Sequence, residues 1–364
     1  MAWNPESPYN TLPELPPRSE IESRAVLKAV ISAREVLGRL DASARSLPDP
    51  SILINAIPLL EAQASSEIEN IVTTTDELFS ASSAVAGEST PATREALRYR
   101  SALHAGFLEL ADRPLTARTT TTICSILKGH DVAVRTGPVY ITDAISGQRA
   151  YTPPDNRLDL ERLLDNWTLF INEQGDLDPL VTMAVAHYQF EAIHPFTDGN
   201  GRTGRIVNVL MLCAAGLLHL PVVYPSRTII ETKSEYYRLL RAVTAEGAWE
   251  EWVLYLLNAV EQTAGQTLTT IHAIKAALFD YKHRIRDGYK FYSQDLINNL
   301  FKHPYTKIDF IMTDLEVSRL TATKYLDELD QIGIVQKMKL GRDNYYINTD
   351  LYNILSNVNQ IKHV

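Results

Sequence analysis

Twelve consecutive residues, His194 to Arg205, reading HPFTDGNGRTGR, gather the side chains of this chain best suited to act together on a substrate. Gly199, Asn200 and Gly201 allow successive backbone N–H groups to converge, and a helix beginning there adds its positive end, so the segment is built to receive an anion. Arg202 and Arg205 supply planar guanidinium forks that stay charged and suit a polyphosphate. Asp198 is a hard oxygen donor beside that cradle, the kind of ligand magnesium takes when phosphate oxygens and water complete its shell. His194 adds a group able to accept a proton near neutral pH, its unperturbed pKa being ~6.5.

Gly199, Gly201 and Gly204 also spell G-x-G-x-x-G, but a dinucleotide fingerprint must follow a strand and open a βαβ unit, whereas a helical pattern precedes this one. A kinase glycine loop fails as well, since neither H-R-D nor D-F-G occurs in the chain. A single histidine or arginine is usually structural. A base, a hard ligand, an anion cradle and two arginines within one short segment are not readily explained that way.

Two helices must position the segment. PLVTMAVAHYQFEAI runs into His194 and RTGRIVNVLMLCAAGLL runs out of the glycines, making a helix-loop-helix junction. Further helices are expected around it. SEIESRAVLKAVISAREVLGRL has apolar residues at helical spacing, with Ser19 and Glu22 fitting a capping box, and SILINAIPLLEAQASSEIENI follows Pro50. The stretch from Thr73 to Thr93 is rich in Ser, Thr and Gly and reads as a loop. LDLERLLDNWTLFINEQ places Leu160, Leu163, Leu164, Trp167, Phe170 and Ile171 on one face. Between Arg135 and Pro154, alternation around Val139 and Ile141, a turn near Ser146 and Gly147, and a return at Ala150 and Tyr151 predict an isolated β-hairpin.

The two ends differ from this middle. Five prolines between Pro5 and Pro17 predict an extended surface arm. Toward the other end come helices at SQDLINNLF, KIDFIMTDL and SRLTATKYLDELDQIG, then strand-like VQKMKL and NYYIN around Gly341. That order resembles a winged helix, with a recognition helix ending at Gly333 and a wing at Leu340 to Asn344. From Lys290 to Val364 there are nine Lys or Arg and nine Asp or Glu, so the face carries no basic excess, and protein contact is at least as well supported as DNA binding by residues 290–350.

Composition sets the outer bounds. The 364 residues are 45% hydrophobic and 22% charged with a net charge of -9, which describes an ordinary globular protein with no overall pull toward nucleic acid or anionic lipid. The opening MAWNPESPYN has neither a basic region nor an apolar core of a secretory signal, and VLMLCAAGLL is about half the ~20 residues a membrane helix needs. A cytoplasmic location without membrane association is therefore expected. Cys124 and Cys213 each sit among apolar neighbours and read as reduced core residues.

HPFTDGNGRTGR matches HPF-x-[DE]-GNGR-x-x-R at every defined position and so resembles the Fic-family motif. The resemblance extends to RTGPVYI…YTPP, similar to the family's flap, and to SRTIIETKSEYYRLL, similar to the segment that covers the nucleotide base. It implies a mainly α protein. An N-terminal helical domain would occupy residues 1–90, a Fic core with its β-hairpin flap 91–265, and a winged-helix-like α+β domain 280–364. The implied activity is transfer of AMP from ATP to a Ser, Thr or Tyr hydroxyl of a protein, itself included, with release of pyrophosphate.

The resemblance also assigns roles. His194 would be the general base and Asp198 the Mg²⁺ ligand. Gly199, Asn200, Gly201, Arg202, Thr203, Gly204 and Arg205 would hold the phosphates, and Tyr237 rather than Tyr236 would lie at the adenine or ribose. The flap near 136–154 would align a protein substrate through its main chain. SSEIEN is similar to the family's inhibitory pattern, [ST]-x-x-x-E-[GN], which makes Ser65, Glu69 and Asn70 the inhibitory residues. Glu69 is expected to pair with Arg205 and so to belong to the ATP site. The alternative is a DNA-binding regulator whose core senses or removes AMP. A homodimer is the assembly to expect, dimers being common among symmetric soluble proteins.

Overall fold

The computed structural model describes residues 3–82, 89–142, 147–173, 175–340 and 343–357. Its first helix, α1 (Arg24–Arg45), is capped by Ser23, whose hydroxyl accepts from the Val26 N–H at 3.3 Å. The box expected at Ser19 and Glu22 does not form, because the Glu22 carboxylate instead accepts the Asp178 N–H at 2.7 Å. α1 buries Val26, Val30, Ala33, Leu37 and Leu40 along one stripe. It packs along α11 (Trp249–Gly288), a 40-residue helix. α11 continues without a break across residues 265–280, between the expected core and the C-terminal unit.

α2 (Ser51–Ile68) starts after Pro50 and is apolar on nearly every side, so it runs through the interior against α4 (Pro91–Glu109) and α9 (Ser226–Glu231). The stretch expected to be a loop from Thr73 to Thr93 contains α3 (Thr75–Ser82). Its hydroxyl-rich sequence supplies a cap instead of a loop: Thr74 Oγ1 accepts from the Glu77 N–H at 3.1 Å, and the Glu77 carboxylate accepts the Thr74 N–H at 2.9 Å. α5 (Ala117–Lys128) opens on a capping box of Thr116 and Thr119 and closes on Gly129 in the left-handed conformation. α6 (Arg157–Asn172) turns Leu160, Leu163, Leu164 and Trp167 inward as the spacing predicts.

The expected hairpin is present as β1 (Ile141–Thr142) and β2 (Arg149–Tyr151), paired antiparallel with Ile141 opposite Tyr151. Ser146 of its expected turn lies outside the described residues. The proline-rich arm is docked and broken by turns rather than extended, with Ser7 N–H donating to the Asn4 carbonyl and Leu12 N–H to that of Tyr9; Tyr9 N–H donates to the Thr152 carbonyl at 3.0 Å, and Leu15 exchanges two hydrogen bonds with the Asn166 side chain. Its own Leu12 and Leu15 are buried, so the arm is part of the core's cover rather than only a surface segment.

The C-terminal unit contains α12 (Gln294–Lys302), β3 (Tyr305–Lys307), α13 (Ile308–Leu315), α14 (Arg319–Gln331), β4 (Gln336–Leu340), β5 (Asp343–Ile347) and α15 (Thr349–Asn357). Its antiparallel sheet has the order β3-β5-β4. β3 and α15 go beyond the elements expected from sequence. Three residues are too few to show strand alternation, and β3 is defined by pairing with β5 rather than by its own pattern. Gly341 and Arg342, at the tip of the expected wing, lie outside the described residues. No helix among the described residues is long and apolar enough to cross a membrane.

Candidate active site

α7 (Pro179–Ile193) begins on Asp178, whose carboxylate accepts the Leu180 N–H, with Pro179 in the first turn. It is apolar around its whole circumference and buried, which makes it a rigid post for the residue that follows. That residue is His194, with φ 51° and ψ 60°, a left-handed backbone uncommon outside glycine. Arg135 holds the turn. Its Nε donates to the His194 carbonyl at 2.8 Å, while its other nitrogens donate to the carbonyls of Gly137, Pro154 and Ile193. One buried guanidinium thus staples both roots of the flap to the turn bearing the histidine.

The His194 imidazole is pushed down to about 4, by burial first and by the positive charge of Arg135 second. It is neutral at pH 7 and free to accept a proton. Its Nδ1 is buried without a hydrogen-bond partner.

From His194 the chain loops into α8 (Asn200–Ala214). The Asn200 side chain both accepts from the Phe196 N–H and donates to the Phe196 carbonyl, each at 2.8 Å, so it braces the loop. Phe196 is buried as the loop's apolar anchor. Gly199 has φ 88°, a conformation that favours glycine, and Cys124 Sγ lies 3.2 Å from where its Cβ would stand. Cys124 is therefore more than a core residue, because it packs under the loop and its thiol donates to the Asp198 carbonyl at 3.5 Å. No side chain caps α8, so its N-terminus, Gly199 to Arg202, has the open backbone geometry that an anion cradle requires.

Asp198, Arg202 and Arg205 each have a charged partner. Asp198, largely exposed, pairs with Lys128 and lies 3.7 Å from Arg202, and its carboxyl is held below the usual range: burial opposes this, but the Lys128 hydrogen bond and charge outweigh it. Arg202 is buried, with NH1 bonded to Glu95 and NH2 facing Asp198, so its fork is taken up by two carboxylates rather than free. Thr203 is fully buried and Gly204 packs against Glu191 and His187. Burial pushes the Glu191 carboxyl up to about 7, and its Oε1 has no hydrogen-bond partner.

Arg205 is gripped by the predicted inhibitory segment. Its Nε donates to Ser65 Oγ at 2.8 Å, and its NH2 donates to the Ser65 carbonyl at 3.0 Å and to Glu69 Oε1 at 2.8 Å. Glu69 lies over Gly201, so closely that a Cβ there would stand 2.5 Å from Oε1. Burial would raise the Glu69 pKa, but Arg205 outweighs it and leaves the carboxyl below its ordinary value. Asn70 closes the turn with φ 62°, and its Oδ1 accepts from Lys233 Nζ at 3.2 Å.

Lys233 opens α10 (Lys233–Glu246), which also carries Tyr236 and Tyr237. Tyr236 is buried and hydrogen-bonded to His187 at 2.9 Å. Tyr237 is 38% exposed, with its hydroxyl pushed up to about 12 by burial and then by the Glu69 charge. Of the two, Tyr237 alone remains available at the site.

Sequence reasoning passed over Arg135, Glu95 and Lys128, all brought in by tertiary packing, and the buried hydrogen-bonded group around Glu61. That carboxylate accepts from the Tyr99 hydroxyl at 2.8 Å and from both Ser226 Oγ and N–H. It thereby ties α2, α4 and α9 together directly behind Ser65. Among the described residues no group of three or more His, Cys, Asp and Glu side chains is arranged to hold a metal ion.

Comparison with known proteins gives the family. Models described as Fic/DOC family N-terminal, Fic/DOC family, and protein adenylyltransferase SoFic-like, C-terminal domain match residues 27–108, 115–212 and 280–351 in turn. This chain belongs to the Fic family. It is 35% identical over 116 residues to protein adenylyltransferase fic-1 of Caenorhabditis elegans, a match covering 31% of this chain and 21% of that protein. To protein adenylyltransferase Fic of Drosophila grimshawi it is 30% identical over 135 residues, covering 37% of this chain and 26% of the relative. The matches thus span a fifth to a quarter of these relatives' length. The crystal structure of a Fic family protein from Desulfovibrio desulfuricans G20 shares the fold, with a TM-score of 0.59 at 20% identity over 92% of this chain and 98% of that one. Fic-1 (aa134–508) from C. elegans does so with a TM-score of 0.52 at 20% identity over 69% and 75%.

Proposed function

We propose that this chain transfers AMP from ATP to a hydroxyl side chain of a protein and that Glu69 restrains the transfer. The observation that carries this reading is the meeting of a neutral His194, an uncapped α8 N-terminus and the Arg205 fork at one loop-helix junction, with Glu69 already seated in that fork. In the step, the target hydroxyl oxygen bonds to the α-phosphorus of ATP, the bond from that phosphorus to the bridging oxygen breaks, and pyrophosphate leaves. His194 takes the hydroxyl proton. The α8 N–H groups and Arg205 stabilise phosphate charge as it develops.

Asp198 fits magnesium in one respect that can be checked on its surroundings: it is a single exposed carboxylate beside the cradle, and magnesium characteristically binds one or two carboxylates and fills its shell with phosphate oxygens and water. Asp198 would hold the ion, displacing Lys128, and the ion would neutralise phosphate charge. Tyr237 would border the base. The β1–β2 edge would receive an extended target segment, with Arg135 fixing the distance between flap and histidine. Seated on Arg205, the Glu69 carboxylate occupies the fork that a terminal phosphate would use, so nucleotide enters with its α-phosphate out of line for attack. Loss of in-line geometry costs on the order of a hundredfold in rate.

The test is incubation with ATP labelled at the α- or the γ-phosphate, using this chain and a protein lysate. AMP transfer labels protein from α-labelled ATP alone. Label from γ-labelled ATP, or sequence-specific DNA retention at physiological salt with no protein labelling, would overturn the reading.

A further inference from the structure

The turn carrying Glu69 is suspended between two helices, and the C-terminal unit is attached to both. Glu69 caps the end of α2, and α3 begins at Thr75, so only a few residues link the inhibitory carboxylate to the next helix. On the α2 side, Asn55 Nδ2 donates to the Lys302 carbonyl of α12 at 3.4 Å, and the two helices pack together. On the α3 side, the Tyr305 hydroxyl of β3 donates to the Asp76 carboxylate.

The link itself has little slack. Gln63 Nε2 donates to the Thr73 carbonyl at 2.9 Å, and Thr73 Oγ1 donates to Glu77 Oε2 at 3.0 Å, so the segment is laced back onto both helices. β3 in turn is hydrogen-bonded to β5, which pairs with β4, the other strand of the terminal hairpin. A displacement of that sheet would therefore pass through Tyr305 to α3, and from α3 to the turn whose carboxylate holds Arg205.

We propose that the C-terminal unit sets how firmly Glu69 occupies Arg205, and so regulates the site at a distance. The inference rests on the restraint by Glu69 described above and adds the element that controls it. The C-terminal unit biases two states of one strap: with β3 and α12 docked, Glu69 is held over Gly201, and with Tyr305 parted from Asp76 the turn relaxes and the fork opens. Coupling of this kind requires only that the docked and undocked arrangements differ in how they hold the turn.

Tyr305→Phe in the full chain is the direct probe, because it removes the hydroxyl and leaves a ring of nearly the same volume in its buried place. Asp76→Ala removes the other end of the same bond and guards against a local packing effect. Loss of one hydrogen bond to a charged group corresponds to about a tenfold change in the equilibrium it supports. Each variant is expected to raise labelling from α-labelled ATP by roughly that factor, and the pair together by no more.

Both variants should also speed amide hydrogen exchange at residues 66–74, and neither should add to the rate in a Glu69→Gly background. Unchanged exchange at 66–74, or an equal rate gain with and without Glu69, would overturn the coupling. If Glu69→Gly alone leaves transfer unchanged, the restraint reading fails, while the exchange measurement still decides whether the C-terminal unit governs the turn.

Discussion

The contact between Glu69 and Arg205 can be measured without any assay of turnover. Arg205 is 3% exposed and Glu69 33%, and the guanidinium keeps two acceptors from Ser65 whatever stands at position 69. Glu69→Gln preserves shape and one acceptor oxygen but removes the charge. A hydrogen bond to a charged group contributes about 1.5–3 kcal/mol, roughly twice a neutral one, so the substitution should cost about 1–2 kcal/mol. Arg205→Gln should cost more, because it leaves a carboxylate facing an amide in a largely enclosed site. A double-mutant cycle from chemical denaturation of the four proteins, without nucleotide, should give a coupling of about 1–2 kcal/mol. ATP should then stabilise Glu69→Gln more than it stabilises the unaltered chain, since phosphate finds the fork vacated. A coupling below about 0.5 kcal/mol would refute the argument, showing that the two residues are neighbours and not partners.

Other consequences follow from the same geometry. Because the His194 imidazole is held to about 4, the acid limb of kcat/KM should fall near that pH rather than near 6.5, the base being protonated and idle only below it; a limb centred at 6.5 would contradict the buried, Arg135-flanked environment. Asp198→Ala should lower transfer and flatten its magnesium dependence, and an unchanged magnesium titration would remove Asp198 from the metal site. Glu61 is pushed up to about 7 by burial, with its hydrogen bonds opposing. Its contribution is therefore fully present below about pH 4.5 and lost as pH rises through about 7, so melting temperatures should show Glu61→Gln gaining on the unaltered chain across that window, by about 3 kcal/mol in total.

What could be read from the sequence was whatever the chain keeps together. His194 to Arg205 lies in one run, and the helices on either side have unbroken periodicity, so the junction and the side chains it gathers were legible. Ser65 and Glu69 were legible as a short motif one helical turn apart; the Glu69–Arg205 pair is the expected one, whereas the hydrogen bonds from Arg205 to Ser65 were not foreseen. The partners that orient the site were not legible, because each arrives from a distant part of the chain. Arg135 lies 59 residues from His194, Lys128 70 from Asp198 and Glu95 107 from Arg202, and nothing in the local pattern of those segments marks them.

The two forks also met different fates. Arg202 and Arg205 look equivalent in the motif, yet one turns inward to Glu95 and the other lies under Glu69, a distinction set by which face of α8 meets α4. α3 was hidden for another reason. Hydroxyl side chains serve loops and helix caps alike, and only the reciprocal bonds of Thr74 and Glu77 decide between them.

The central claim is that a complete AMP-transfer site is held in check by one carboxylate. It is tested most directly by the rate of protein labelling from α-labelled ATP at saturating nucleotide, measured for the unaltered chain, for Glu69→Gly and for Glu69→Gly with His194→Ala. The account predicts a rise on the order of a hundredfold on removing Glu69, and its loss when His194 is also removed while ATP still binds. Equal labelling by the unaltered chain and Glu69→Gly, or full labelling without His194, would contradict it.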